Sequence, residues 1–215
     1  MGTHPPGEQS LPPVVVEVWG ESALFTRPEA KTERQTYPVM TPSAAIGVLE
    51  AIFWKPEFTW RVERIDVLAP IVEGTVRRNE TSQVVALDSA LKGERVDTAA
   101  HRTQRAATFL KDVRYRIHAQ AELRAHATDP AAKYRDQFRR RVDRGACFTQ
   151  PYLGTKEFVA HFGPPTQVPP IDLTADLGVM VHSAQYGPGG ATRWAWFTAR
   201  LDRGVLHVPA EGIGA

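Results

Sequence analysis

Lys133 and Tyr134 stand side by side early in a segment whose apolar residues recur at helical spacing. An ammonium group can stabilise charge on a phosphate or, when desolvated, accept a proton. A phenol can donate a proton but is a poor base near neutral pH. On a helical wheel Lys133 shares a face with Gln137, Arg140 and Arg144, a basic stripe suited to a nucleic-acid backbone or simply to solvent. Tyr134 falls with Ala131, Phe138 and Val142, the spacing of a buried stripe, so it reads either as a core aromatic or as a proton donor. Tyr37, ahead of an earlier helix, and His118, on a strand, carry further groups of use in proton transfer, although a lone histidine is more often structural. His101 and His126 lie in loop-like stretches and rank lower.

Cations are clustered on a chain that is otherwise balanced. The 215 residues include 26 Lys and Arg against 24 Asp and Glu, a net charge of +2. Arg77-Arg78, Arg102 with Arg105, and Arg139-Arg140-Arg141 with Arg144 form local concentrations, the footprint either of a nucleic-acid partner or of a solvated surface. No His, Asp and Glu residues have metal-ligand spacing, and the single Cys147 excludes an internal disulfide and a cysteine zinc cluster. No metal and no cofactor is therefore expected. No apolar run approaches the length of a bilayer, and the opening Met1-Gly-Thr-His-Pro-Pro has neither a secretory nor a myristoylation pattern. A cytoplasmic location with no membrane partner is the plain expectation.

The elements that must position these groups can be read in order. Residues 1–13 are Pro/Gly-rich and polar, a flexible tail. Val14–Trp19 reads as a buried strand closed by Gly20. Thr41 and Pro42 suit the cap and first position of a helix running to Trp54, with Ala45, Val48, Leu49, Ile52 and Phe53 on its apolar face, Lys55 in its last turn and Pro56 as its stop. Trp60–Leu68 is a second strand and Ile71–Val76 a short third, and the region to residue 109 suggests an exposed hairpin or loop around Gly93. Val113–Leu123 alternates strictly, with Arg114, Arg116 and His118 on its polar face, a platform for RNA. Asp129-Pro130 opens a helix to Asp143, and Phe158–Phe162 is a short strand. This order is the split βαβ pattern of an α+β, ferredoxin-like fold akin to RNA-recognition motifs, over residues 14–162. Residues 163–215 add Leu177–Gln185 and a hairpin turning at Asp202-Arg203-Gly204, a small C-terminal β appendage.

Six blocks carry a family resemblance. Thr41-Pro-Ser-Ala-Ala-Ile-Gly-Val-Leu-Glu-Ala-Ile-Phe-Trp-Lys-Pro56 resembles the CRISPR-associated Cas-five family, d subtype, of type I-C systems. So, in family order, do Ala23-Leu-Phe-Thr-Arg-Pro-Glu29, Val76-Arg-Arg-Asn-Glu80, Gln104-Arg-Ala-Ala-Thr108, Asp112-Val-Arg-Tyr115 and Gln150-Pro-Tyr-Leu-Gly-Thr-Lys-Glu-Phe158. The C-terminal part matches more loosely. The resemblance implies a ferredoxin-like core with a β appendage. It also implies an endoribonuclease that cuts CRISPR precursor RNA within each repeat and stays on the crRNA 5′ handle beside the other subunits of the type I-C interference complex. The family reaction is metal-independent: the ribose 2′-OH attacks its own 3′ phosphate and leaves a cyclic phosphate.

In cleaving members a Tyr or His precedes Trp-Lys-Pro, and a Lys-His pair opens the second helix. Here Phe53 fills the first position and the pair is Lys133-Tyr134, so Tyr37 and His118 are possible substitutes for the missing groups. Lys31, Arg34, Arg77, Arg78, Arg102, Arg105, Lys111 and Arg140 would hold RNA backbone. The alternative implied by the substitutions is a non-catalytic subunit that caps the 5′ handle. A generic RNA-recognition module would leave the ordered blocks unexplained.

Overall fold

The computed structural model describes residues 12–30, 32–83, 85–187 and 192–214, so most of the expected N-terminal tail lies outside the described residues. Its elements are β1 (Val14–Ala23), α1 (Pro42–Ile52), β2 (Phe58–Val67), β3 (Val72–Thr81), α2 (Leu87–Leu91), β4 (Arg102–Leu123), α3 (Ala131–Asp143), β5 (His161–Gly163), β6 (Ala175–Tyr186), β7 (Thr192–Asp202), β8 (Val205–His207) and β9 (Ile213–Gly214). The strands form one sheet in the order β5-β1-β4-β2-β8-β7-β6, with β3 on β4 and β9 on β7. Every pairing between named strands is antiparallel. The chain is thus α+β.

α1 begins as its sequence dictates: the Thr41 hydroxyl accepts from the Ala44 N–H at 3.2 Å and Pro42 occupies the first turn. It ends earlier than expected, at Ile52. Phe53 is extended (φ −155°, ψ 120°), which turns its ring into the core and puts Lys55 beyond the last turn. Tertiary donors take the carbonyls this ending frees. The Phe148 N–H donates to the Ala51 carbonyl at 2.7 Å, Arg141 to Ile52 at 3.0 Å, and the Trp60 indole to Phe53 at 3.0 Å. Periodicity cannot foresee an ending set by side chains from other elements.

β1 runs past Gly20 to Ala23. The glycine is there for close approach, since a Cβ would lie 2.7 Å from Leu153 and 2.8 Å from the Val159 carbonyl. The larger difference lies in 71–109. β3 continues to Thr81 and β4 starts at Arg102, so much of the expected loop is a two-stranded arm with α2 beyond it. β3 is largely exposed on both faces, which removes the apolar alternation that would have revealed the arm. A left-handed Asp112 (φ +48°) lies where the arm joins the main sheet.

α1 and α3 bury apolar stripes in one core with Val16, Val18, Ile65, Tyr115, Ile117 and Ala119. Tyr134, Phe138 and Val142 are the buried residues of α3. β8 pairs with β2, and Met180, Val181, Phe197 and Leu206 belong to the same core. The β7–β8 hairpin turns at Arg203 (φ +47°) and Gly204 (φ +75°), the left-handed pair of a type I′ turn. No helix among the described residues is long and apolar enough to cross a membrane.

The polar face of β4 is not the open platform expected. Glu17 on β1 is fully buried and accepts from Arg114 and Arg116, each at 2.7 Å, and from the Thr166 N–H at 2.7 Å. Arg116 also donates to the Thr166 and Val168 carbonyls at 2.8 and 2.9 Å. Buried Asp66 on β2 takes His118 at 3.1 Å and Arg64. Burial pushes both carboxyls up, but these partners hold each down at about 2: Arg116, the Thr166 N–H and Arg114 for Glu17, His118 and Arg64 for Asp66. The cations of this face therefore neutralise internal carboxylates, a pairing invisible in a single strand's alternation.

Candidate functional site

The site forms where the end of α1, the start of β2, the end of β4 and the first turn of α3 meet. The β2–β4 ladder brings Phe58 opposite Leu123. It continues outward as the Arg124 N–H donates to the Glu57 carbonyl at 2.8 Å and His126 Nε2 to the Pro56 carbonyl at 3.0 Å. α3 then starts with Pro130 as its cap and no side-chain capping bond. The expected cap, Asp129, instead binds Lys133 Nζ at 2.8 Å.

Tyr134 packs on Phe58 with ring centroids 5.0 Å apart, and Phe58 lies 5.6 Å from Phe53 and 4.9 Å from Trp60. The apolar stripe read from sequence is real, yet the phenol is not a satisfied core group. Its hydroxyl is covered and has no hydrogen-bond partner among the described residues, the Asp129 backbone approaching without completing one. Glu57 Oε2 is likewise covered and unpartnered. Loss of water, then the negative charges of Glu57 and Asp129, raise the Tyr134 pKa and keep the phenol protonated. Lys133 is exposed, and its hydrogen bond to Asp129 raises its pKa, so its ammonium stays charged. The pair can supply a fixed cation and a proton donor; neither group is poised to accept a proton.

The other expected groups lie elsewhere. Phe53 is buried and cannot ionise; the Arg141 guanidinium lies 5.6 Å from its ring. Tyr37 precedes the opposite end of α1, about 16 Å away for an 11-residue helix. It is fully buried beneath Arg27, 4.4 Å from the ring, with its pKa raised by burial and then by Glu29. His118 projects from the sheet face opposite Ile117 and Ala119, away from the helices, onto Asp66. No local pattern marks Glu57 or His126 for a site, because the outward continuation of the β2–β4 ladder is what carries them to this rim, and Asp129, expected only as a cap, follows at the start of α3.

The cations expected to hold RNA fall into groups. Register places Arg78 opposite Arg105 on one face of the arm, where Glu157 binds Arg78 and Glu80 lies 3.5 Å from both Arg105 and Arg34. Arg77 and Arg102 share the other face with Asn79 and Gln104, are exposed, and form no ion pair among the described residues. Lys111 is exposed at the base of the arm, Arg140 is exposed on α3 with its guanidinium 3.3 Å from the Asp136 carbonyl, and Lys31 lies outside the described residues. Among the described residues no group of three or more His, Cys, Asp or Glu is arranged to hold a metal ion.

The chain is similar to known CRISPR-associated proteins. The family model for CRISPR-associated protein Cas5, d type, matches residues 14–209. The CRISPR pre-crRNA endoribonuclease Cas5d of Thermus thermophilus is 45% identical over 214 residues, covering 91% of each chain. The protein of that name from Mannheimia succiniciproducens is 40% identical over 212 residues, covering 90% of this chain and 93% of its own. A crystal structure of a CRISPR-associated protein superposes with a TM-score of 0.67 at 23% identity, covering 93% of this chain and 92% of its own. A match across nearly the whole chain makes this chain a member of the CRISPR-associated Cas5d family.

Proposed function

We propose that this chain is a pre-crRNA endoribonuclease that cuts CRISPR precursor RNA within each repeat without a metal ion and then stays on the 5′ handle in a type I-C interference complex in the cytoplasm. The observation that carries the reading is the Lys133–Tyr134 pair: an exposed, charged ammonium next to a protonated phenol whose covered hydroxyl has no partner among the described residues. The half of the fold that holds it reads as ferredoxin-like, because β5-β1-β4-β2 is the strand order of a split βαβ unit and both helices pack on one face.

In the proposed reaction the ribose 2′ oxygen bonds to the adjacent phosphorus as the bond from phosphorus to the 5′ oxygen breaks. Lys133 exchanges Asp129 for the phosphate and stabilises its developing charge. Tyr134 gives its proton to the departing 5′ oxygen. Binding an RNA oxygen at the rim would also relieve the cost of an unpartnered buried hydroxyl. The test is incubation of the protein with its cognate repeat RNA in EDTA: one cut, with a 2′,3′-cyclic phosphate and a 5′-hydroxyl, is expected. Phe53, which brings no ionisable group to the end of α1, favours the cap reading. Tight binding of the repeat with no cut would establish that reading instead.

The arm supplies the grip. Arg77 and Arg102 form no ion pair among the described residues and can meet phosphate directly, whereas Arg78, Arg105 and Arg34 must first give up Glu157 or Glu80. The double variant Arg77→Ala/Arg102→Ala is expected to lower the slope of log affinity against log salt by about 1.4–1.8, from the release of two phosphate contacts. Arg78→Ala/Arg105→Ala should lower it by less than half as much. Binding titrations between about 50 and 200 mM salt measure both.

A further inference from the structure

We propose that His126 is the general base of this cleavage, an inference that rests on the reading of Lys133 and Tyr134 as the groups acting on phosphate and leaving oxygen. A base is what that pair lacks. Asp129 keeps Lys133 charged, the Tyr134 phenol stays protonated, Phe53 has no proton to exchange, and Tyr37 and His118 lie at the far end of α1 and on the opposite sheet face. Of the other described histidines, His101 lies at the far end of the arm, where its carbonyl accepts from Ser82, His161 stacks on Trp19, His182 binds the Pro209 carbonyl and His207 pairs opposite Arg64 on β8.

His126 is delivered to the rim by the same ladder that delivers Phe58. Leu123 pairs with Phe58, Arg124 with Glu57, and His126 with Pro56. Tyr134 packs on Phe58 and feels the charge of Glu57, while Lys133 reaches Asp129, three residues after His126. Tyr134 and His126 thus both contact the Pro56-Glu57-Phe58 segment, and Lys133 neighbours Tyr134 on the first turn of α3. The contact to Pro56 also fixes the imidazole. A carbonyl oxygen only accepts, so Nε2 carries the hydrogen, and Nδ1 of the neutral ring is left with its lone pair. His126 is exposed and open to RNA.

The step balances. Nδ1 takes the 2′-OH proton as the 2′ oxygen bonds to phosphorus, and Tyr134 protonates the 5′ oxygen as its bond to phosphorus breaks. The products are a cyclic phosphate and a 5′-hydroxyl, leaving an imidazolium and a phenolate that exchange a proton through water.

The experiment compares His126→Ala, His126→Gln and Tyr134→Phe with wild type in single-turnover cleavage of the cognate repeat in EDTA, alongside binding of the same RNA. Glutamine keeps an N–H for the Pro56 carbonyl but cannot act as a base. Both His126 variants are expected to cut about 10²–10⁴-fold more slowly with affinity within threefold of wild type. A second substrate carries sulfur in place of the scissile 5′ oxygen, a leaving group that needs no proton. It should restore Tyr134→Phe and leave both His126 variants slow. Cleavage by His126→Gln within threefold of wild type, or its restoration by the sulfur substrate, overturns the assignment while wild-type cutting stands. If wild type itself binds and does not cut, the underlying reading fails and this one with it.

Discussion

Lys133→Ala is expected to cut repeat RNA about 10²–10³-fold more slowly than wild type, the loss typical when one preorganised charge opposite a developing anion is removed. Its side chain is 55% exposed and touches Asp129 on the surface, so the variant should melt with wild type. Tyr134→Phe sharpens the same point. The ring that packs on Phe58 is retained, and the only atom lost is a covered hydroxyl without a partner. Removing such a group does not destabilise a fold. Cleavage should therefore fall about 10²-fold while the melting temperature holds or rises. A Tyr134→Phe protein that cuts at the wild-type rate would reduce Tyr134 to a core aromatic.

The second large effect is on stability. Glu17→Gln is expected to destabilise the protein by about 3 kcal/mol at neutral pH, because it leaves Arg114 and Arg116 without the charge they face. The sign follows from the titration. The Glu17 carboxyl is held at about 2, below its ordinary 4.5, so its contribution is complete above about 4.5 and is lost as pH falls toward 2. Asp66, at about 2 against 3.8, adds to the same acid limb. Chemical denaturation between pH 7 and 2 should show wild-type stability declining across this window, with a shallower decline in Glu17→Gln. A variant as stable as wild type at pH 7 would mean that the buried cluster contributes nothing net.

Residues that look alike in sequence thus divide sharply in space. Arg116 and Arg102 belong to one strand, yet the first neutralises a buried carboxylate and the second faces solvent on the arm. Tyr37 and Tyr134 are both buried tyrosines with unpartnered hydroxyls, and only the second sits beside a surface lysine. His118 lay on a clean alternating strand and His126 in an unpatterned loop. The ladder register sends the first to Asp66 and the second to the rim of the site.

The chain's own order of residues determined the apolar stripes of α1 and α3, the alternation of β4, the turn at Arg203-Gly204 and the blocks that mark the family. All of these depend on neighbours a few residues apart. It also put Phe53, rather than an ionisable group, at the end of α1. Tertiary structure alone decided where α1 stops, because Trp60, Arg141 and Phe148 complete its last carbonyls. It alone decided which cations are already paired, and that Tyr134 and His126 both contact the segment between α1 and β2. Charge pairing and desolvation depend on distance in space, and the residues that set them lie far apart in the chain.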